Sequence, residues 1–434
     1  MPFTRDERGS AVLGGVPLAS LFDSPATFGA PPSLSTPAYV YDLDAMVAEA
    51  RDLDAGFGAT PHLVAYAVKA NSAGPIIRAF AALGLGAEVV SGGELALVLA
   101  CGVPADKILM SGVGKTPHDI DPAITAGDSG ILALQLESVE EIALVAARAR
   151  ALGRPARVSF RVNPSVEADT HAHISTGHDE AKFGIALVDL PAALDALARE
   201  PMLALTGVSA HIGSQLTRTA EYMAAARALL AFAEDRARTP HPLRFVDTGG
   251  GFGIDYGAGC ESRPADFARE IARELAARAL PPSTMITVEP GRSLVAAHGV
   301  LCASTIVAKR SRSTPERRWL LVDAGMNDLL RPALYAARHR IEPMEPAPPG
   351  EPLPYRVAGP VCESSDDFGE HTFTAPPRRV VIRDSGAYGY TMASEYNGRG
   401  LPTEVFLEGG RAVATHTPRR AATWAEERAH IGAP

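Results

Sequence analysis

The chain has 434 residues, 46% hydrophobic and 21% charged, enough to bury a large core and fill two domains. A formal charge of −9 offers no basic stripe for neutralising phosphates, which argues against a nucleic-acid partner. The four cysteines (Cys101, Cys260, Cys302, Cys362) are far apart and form no C-x-x-C pair, so neither a disulfide scaffold nor a zinc site is suggested. Acidic residues near the start and the lack of any apolar run of membrane-spanning length lead us to expect a soluble, cytoplasmic protein with no membrane partner.

In chain order, Ala38 to Tyr41 reads as a strand, expected to join a β region formed later in the chain. Short apolar runs then recur at Val64 to Val68, Gly86 to Val90, Ile108 to Ser111, Ile131 to Leu136, Val158 to Val162, Gly207 to His211, Phe245 to Thr248 and Ile286 to Glu289. Alanine- and leucine-rich stretches between them, such as Val139 to Ala151 and Glu221 to Arg238, suit helices. Eight such units close into a (β/α)8 TIM barrel, expected over residues 46–298, although a doubly wound open sheet gives the same alternation. Past Gly299 the texture changes. Val300 to Val307, Trp319 to Asp323, Arg379 to Ile382 and Thr403 to Leu407 read as strands of an all-β domain, expected to comprise residues 1–45 and 299–434. The proline-rich Ile341 to Pro354 reads as a loop or linker.

Barrel chemistry gathers at the C-terminal ends of the strands, so polar residues there carry the functional reading. Lys69 directly follows the first apolar run. A lysine desolvated at that place is a potential nucleophile towards a carbonyl, although a lone lysine more often serves an ordinary ion pair. His211-Ile212-Gly213-Ser214-Gln215 ends the sixth unit, and Asp247-Thr248-Gly249-Gly250-Gly251 ends the seventh. Bare backbone N–H groups of a glycine run suit an anion, and a dinucleotide reading of these glycines fails because they lie so late in the chain. Glu289-Pro290-Gly291-Arg292 ends the eighth unit and adds a carboxylate and a guanidinium. A strand-end lysine, a glycine phosphate cradle and a strand-end carboxylate are together the parts of a pyridoxal-phosphate site. In the β region, Cys362 read alone is an inert small hydrophobe.

These segments, with Tyr66 to Asn71, Ser91 to Leu95, Gly359 to Glu363 and Gly386 to Tyr388, resemble the alanine-racemase-fold decarboxylases over about residues 38 to 407. Arg161 to Pro164 through Ile174 to Gly177 and Lys182 to Ile185, then Met326 to Tyr335 and Met392 to Asn397, resemble the diaminopimelate decarboxylases among them. The resemblance implies pyridoxal 5'-phosphate as cofactor and conversion of meso-2,6-diaminopimelate to L-lysine. It implies Lys69 as the covalent anchor, His211 stacked on the ring, and Ser214, Gly250, Gly251, Glu289, Gly291 and Arg292 placing ring and phosphate, with Tyr388 joining the site. It further implies Arg292, Arg331 and Tyr335 on the distal substrate carboxylate, Glu363 on the distal ammonium, and Cys362 as proton donor. Cys362 and Glu363 would come from the other subunit of a homodimer with shared active sites. His171, His173 and His178 fall inside one of the resembling stretches, and no metal is expected. The sequence departs from the pattern at Glu88, where aspartate is more familiar, at Glu395, and at Arg399 to Pro402. These departures keep open a paralogue acting on ornithine, arginine or another diamino acid. A single-barrel cofactor-homeostasis protein would lack the β region.

Overall fold

The structure is a computed structural model that describes residues 3–23, 34–164, 182–312, 314–418 and 421–431. The chain divides into two compact units: Val47–Ser293, and Met1–Met46 with Leu294–Pro434. Among the described residues no helix is long and apolar enough to cross a membrane.

The first unit is a closed barrel of eight parallel strands: His62–Ala67, Gly86–Val89, Ile108–Met110, Ala133–Leu136, Ala156–Asn163, Leu203–Ser209, Phe245–Gly250 and Met285–Glu289. Each pairs with the next, and the eighth returns to the first through Ile286↔His62, Thr287↔Leu63 and Val288↔Val64. Closure rules out the open doubly wound sheet. Helices such as Gly74–Ala82, Gly92–Ala100 and Val139–Leu152 fill the crossovers. Ser91 and Ser138 cap two of them, each accepting from the N–H three residues on, so the chain enters these helices as soon as it leaves a strand.

Strand side chains alternate between faces, and here the inward set changes character along the barrel axis. Near the strand starts, Leu63, Ala65, Leu109, Ala133 and Phe245 pack into an apolar plug. Toward the other ends of the barrel strands stand Glu88, Gln135, Asp247 and Glu289, all buried. The plug excludes water from below, and polar side chains are left only at the mouth. The sixth strand begins at Leu203, four residues before the apolar run that signals it, and His211 lies just beyond its end.

The second unit is built on a sheet that combines a strand from before the barrel, Ala38–Asp42, with strands from after it. The long strand Gly299–Ser311 pairs in its first half with Ala38–Asp42 and Arg379–Ile382, and in its second half with Arg317–Val322. Ala38–Asp42 also pairs in parallel with Thr403–Glu408. The N-terminal strand thus belongs to the β region, as its sequence suggests. Val40, Val300, Cys302, Val381, Val405 and Leu407 form the core beneath. The segment expected as a loop is partly strand. Ile341–Pro343 pairs with Arg379–Ile382, and Leu353 opens a strand to Ala358 that pairs with Arg317–Val322 and with Asp367–Phe373. Pro343 and Pro354 fall near the ends of these strands, where few ladder bonds are lost, and Pro346, Pro348, Pro349 and Pro352 lie between them.

Candidate active site

The short turn Val68–Ala70 follows the first barrel strand and carries Lys69 to the mouth. Its Nζ donates to Oε2 of Glu88 at 2.6 Å, and the Ser111 hydroxyl donates to the other Glu88 oxygen. Burial drives the Glu88 carboxyl upward. The Lys69 charge and these hydrogen bonds outweigh it, and the group stays ionised, below its usual range.

Across the barrel, Gln135 Nε2 donates to Asp247 Oδ2 at 2.7 Å and to Glu289 Oε1 at 3.0 Å, while Asp247 Oδ1 accepts from the Gly249 N–H at 2.9 Å. Burial, then the charge of Glu289, pushes the Asp247 carboxyl far above its ordinary value. Burial and the charge of Glu88 raise Glu289 less. Two adjoining buried carboxyls oppose each other's ionisation, and of the two Asp247 is pushed further toward its protonated form.

His211 is half-buried, and its Nδ1 accepts from the Gly250 N–H at 3.3 Å. Burial, helped by the charges of Arg161 and Lys69, holds its pKa well below the ordinary imidazole value, so the ring is neutral with its hydrogen on Nε2. Arg292 donates to Ser214 Oγ at 2.9 Å and to the Tyr256 hydroxyl at 3.0 Å. The adjoining backbone is bare by necessity. A Cβ on Gly250 would lie 1.9 Å from the Glu289 carbonyl oxygen, and one on Gly251, at φ +85°, would lie 2.2 Å from that of Gly213.

In the β unit, Arg331 opens the helix Arg331–Tyr335, which places Tyr335 half-buried at its end. Tyr388 sits at φ +54°, a conformation that a bulky residue rarely adopts outside functional sites. Cys362 and Glu363 are exposed but held. The Cys362 N–H donates to Asn397 Oδ1 at 2.8 Å, and the Tyr396 hydroxyl donates to Glu363 Oε1 at 2.6 Å.

The family profile for the pyridoxal binding domain of pyridoxal-dependent decarboxylases matches residues 43–296. A diaminopimelate decarboxylase of Neisseria meningitidis serogroup A is 40% identical over 379 residues, covering 87% of this chain and 91% of the relative. The crystal structure of diaminopimelate decarboxylase from m. jannaschi superposes with a TM-score of 0.87 at 31% identity, covering 98% of this chain and 97% of that one. That of the Helicobacter pylori diaminopimelate decarboxylase complexed with L-lysine gives 0.83 at 35% identity, covering 91% and 97%. The chain belongs to the diaminopimelate decarboxylases. It is a pyridoxal-phosphate-dependent decarboxylase.

The barrel mouth of this diaminopimelate decarboxylase family member fits that cofactor. The glycine segments leave backbone approachable by a phosphate, with Ser214 and Arg292 beside them. The hydroxyls of Ser209, Thr287 and Ser293 are buried with no hydrogen-bond partner among the described residues, which leaves polar capacity there for a polar guest. Lys69, His211, Ser214, Gly250, Gly251, Glu289, Gly291 and Arg292 all belong to the barrel unit, whereas Arg331, Tyr335, Cys362, Glu363 and Tyr388 belong to the β unit. His171, His173, His178 and Ile174 to Gly177 lie outside the described residues. Sequence reasoning did not single out Ser111, Gln135 or Tyr256, and it treated Glu88 only as a departure. The signal for Glu88 and Gln135 was present: each is a lone polar residue at the end of an apolar strand, in phase with inward-facing neighbours.

Proposed function

We propose that the chain removes the carboxylate from the D-configured centre of meso-2,6-diaminopimelate and releases L-lysine and carbon dioxide. The observation that carries the substrate reading is the buried guanidinium of Arg331. Diaminopimelate offers a guanidinium a second carboxylate, whereas ornithine ends in an ammonium that a guanidinium repels.

Bound pyridoxal phosphate supplies a conjugated ring that accepts the electron pair of the breaking carbon–carbon bond. The residues do the rest. Lys69 anchors the cofactor. Glu289, whose neighbour Asp247 is pushed further toward its protonated form, would hold a proton on the ring nitrogen, and His211, held toward its neutral form by burial, would stack on the ring. Gly250, Gly251, Gly291, Ser214 and Arg292 hold the phosphate. Arg331 and Tyr335, with Arg292, take the distal carboxylate, Glu363 takes the distal ammonium, and Tyr388 lines the site. Cys362 delivers the proton that replaces the lost carboxylate.

We further propose a homodimer in which Cys362 and Glu363 serve the barrel of the other copy. Their exposure on a braced loop supports this, since a proton donor must be presented to a substrate. A cytoplasmic setting accords with four free cysteines. Product analysis after incubation with the meso, LL and DD isomers tests the reaction. L-lysine should form from the meso isomer, and preferential use of the LL isomer would overturn the stereochemical reading.

A further inference from the structure

Residues 359–365 form the loop that carries Cys362 and Glu363, and it is tied down from two sides. At its base the buried side chain of Asp366 accepts from the Val361 N–H at 2.7 Å and from the Met326 N–H at 2.6 Å. At its exposed tip a second segment, residues 396–399, reaches across. Arg399 donates to the Pro360 carbonyl at 3.2 Å, Asn397 Oδ1 accepts from the Cys362 N–H at 2.8 Å, and the Tyr396 hydroxyl donates to Glu363 Oε1 at 2.6 Å. The hydrogen bond to Glu363 and the charge of that carboxylate hold the Tyr396 hydroxyl above its ordinary pKa, and the Asn397 side chain hydrogen-bonds the same hydroxyl.

The local backbone explains why an asparagine stands there. Asn397 sits at φ +59°, ψ 20°, in the left-handed region that asparagine tolerates better than bulkier residues, and from that turn its short side chain reaches the Cys362 N–H. Gly398 follows at φ +68° and lies against Trp424 of the helix Ala421–Ala429, where a Cβ would come within 3.0 Å of the indole. The turn is thus backed by an aromatic ring on one side and bonded to the cysteine backbone on the other.

We infer that Asn397 is a positioning residue for proton delivery: it fixes the backbone of Cys362 and so the place from which the thiol reaches the substrate carbon. This rests on the assignment of Cys362 as proton donor. A thiol stands one rotatable bond from its Cα, so fixing the backbone leaves only a few staggered places for the sulfur. Proton transfer needs donor and acceptor within hydrogen-bond reach, and at an exposed tip a backbone tie supplies the constraint that packing supplies in a core. Tyr396 fixes the neighbouring carboxylate in the same way, so one short segment sets the proton donor and the ammonium-binding group in one frame.

The test uses the full-length holoenzyme. Asn397→Gly keeps the left-handed turn and removes the acceptor, so kcat for meso-diaminopimelate should fall roughly tenfold or more through misplacement of the thiol. KM should stay within about threefold, because Tyr396 still holds Glu363. Hydrogen exchange read by mass spectrometry should speed up roughly tenfold at the Cys362 N–H, the loss of one hydrogen bond. Asn397→Asp keeps the acceptor and should bring kcat back to within about threefold of wild type. In a Cys362→Ala background, Asn397→Gly should slow the residual turnover by less than about twofold, since no thiol is left to position. Unchanged kcat in Asn397→Gly would overturn the inference. So would an undiminished further loss in the Cys362→Ala background, or equal slowing by glycine and aspartate, each of which would mark a role in the fold only. The reading of Cys362 fails separately: full activity in Cys362→Ala would remove the proton donor, and the role of Asn397 with it, whatever the exchange rates show.

Discussion

Lys69 Nζ lies 2.6 Å from Oε2 of Glu88, whose side chain is wholly withdrawn from solvent. The pair places one amine at the barrel mouth, held by a partner that cannot swing away. The holoenzyme should therefore be yellow, and borohydride should bleach the band and fix the cofactor to the peptide containing Lys69. Peptide mass analysis checks this. The same band and normal activity in Lys69→Ala would contradict it.

Glycine spacing at the seventh strand makes a steric prediction. In Gly251→Ala the new methyl group meets the Gly213 carbonyl from a left-handed backbone, so the two segments must separate. The apoenzyme should bind pyridoxal phosphate roughly tenfold or more weakly, at a strain cost of about 1–3 kcal/mol. Titration by fluorescence measures it. Undiminished affinity would mean that this backbone does not hold the phosphate.

The buried carboxyls make opposing contributions to stability as pH changes. Asp247, raised far above its ordinary value, keeps in the fold a proton that the unfolded chain releases above about pH 4. From there upward the fold loses stability until the folded pKa is passed, by up to about 1.4 kcal/mol per pH unit for one proton. Glu88, lowered, has the opposite sign: its contribution is present above the ordinary glutamate pKa and is lost as pH falls through the folded value. Asp247→Asn should flatten the decline of the apoenzyme's denaturation midpoint between about pH 5 and pH 8. Identical slopes in the two proteins would show that Asp247 is ionised.

The barrel was legible because apolar strands and alanine-rich helices alternate eight times and because glycines, a lysine and a carboxylate fall at strand ends. The Asp247–Gln135–Glu289 arrangement was less legible, since residues 112 and 154 positions apart meet only when the barrel closes. In the β unit, Arg411–His416 escaped notice because that strand has no buried face to leave an apolar pattern, and Ile341–Pro343 lay hidden among prolines. Asp367–Phe373 does alternate between inward and outward residues, but its charges and Gly369 mask the period.

If Cys362 and Glu363 serve the partner's barrel, inactive variants should complement one another. Mixed Lys69→Ala and Cys362→Ala proteins should form about half hybrid dimers, each with one doubly damaged and one intact site, and recover about a quarter of wild-type activity. Exchange is followed independently with tagged subunits. No recovery after proven exchange would place Lys69 and Cys362 in one site from one chain.

The most direct test of the central claim is a comparison of kcat/KM for meso-diaminopimelate and ornithine, followed by carbon dioxide release from the purified holoenzyme. The assignment of Arg331 to the distal carboxylate predicts a preference for meso-diaminopimelate of roughly a hundredfold or more. Ornithine decarboxylated as efficiently as meso-diaminopimelate would contradict it.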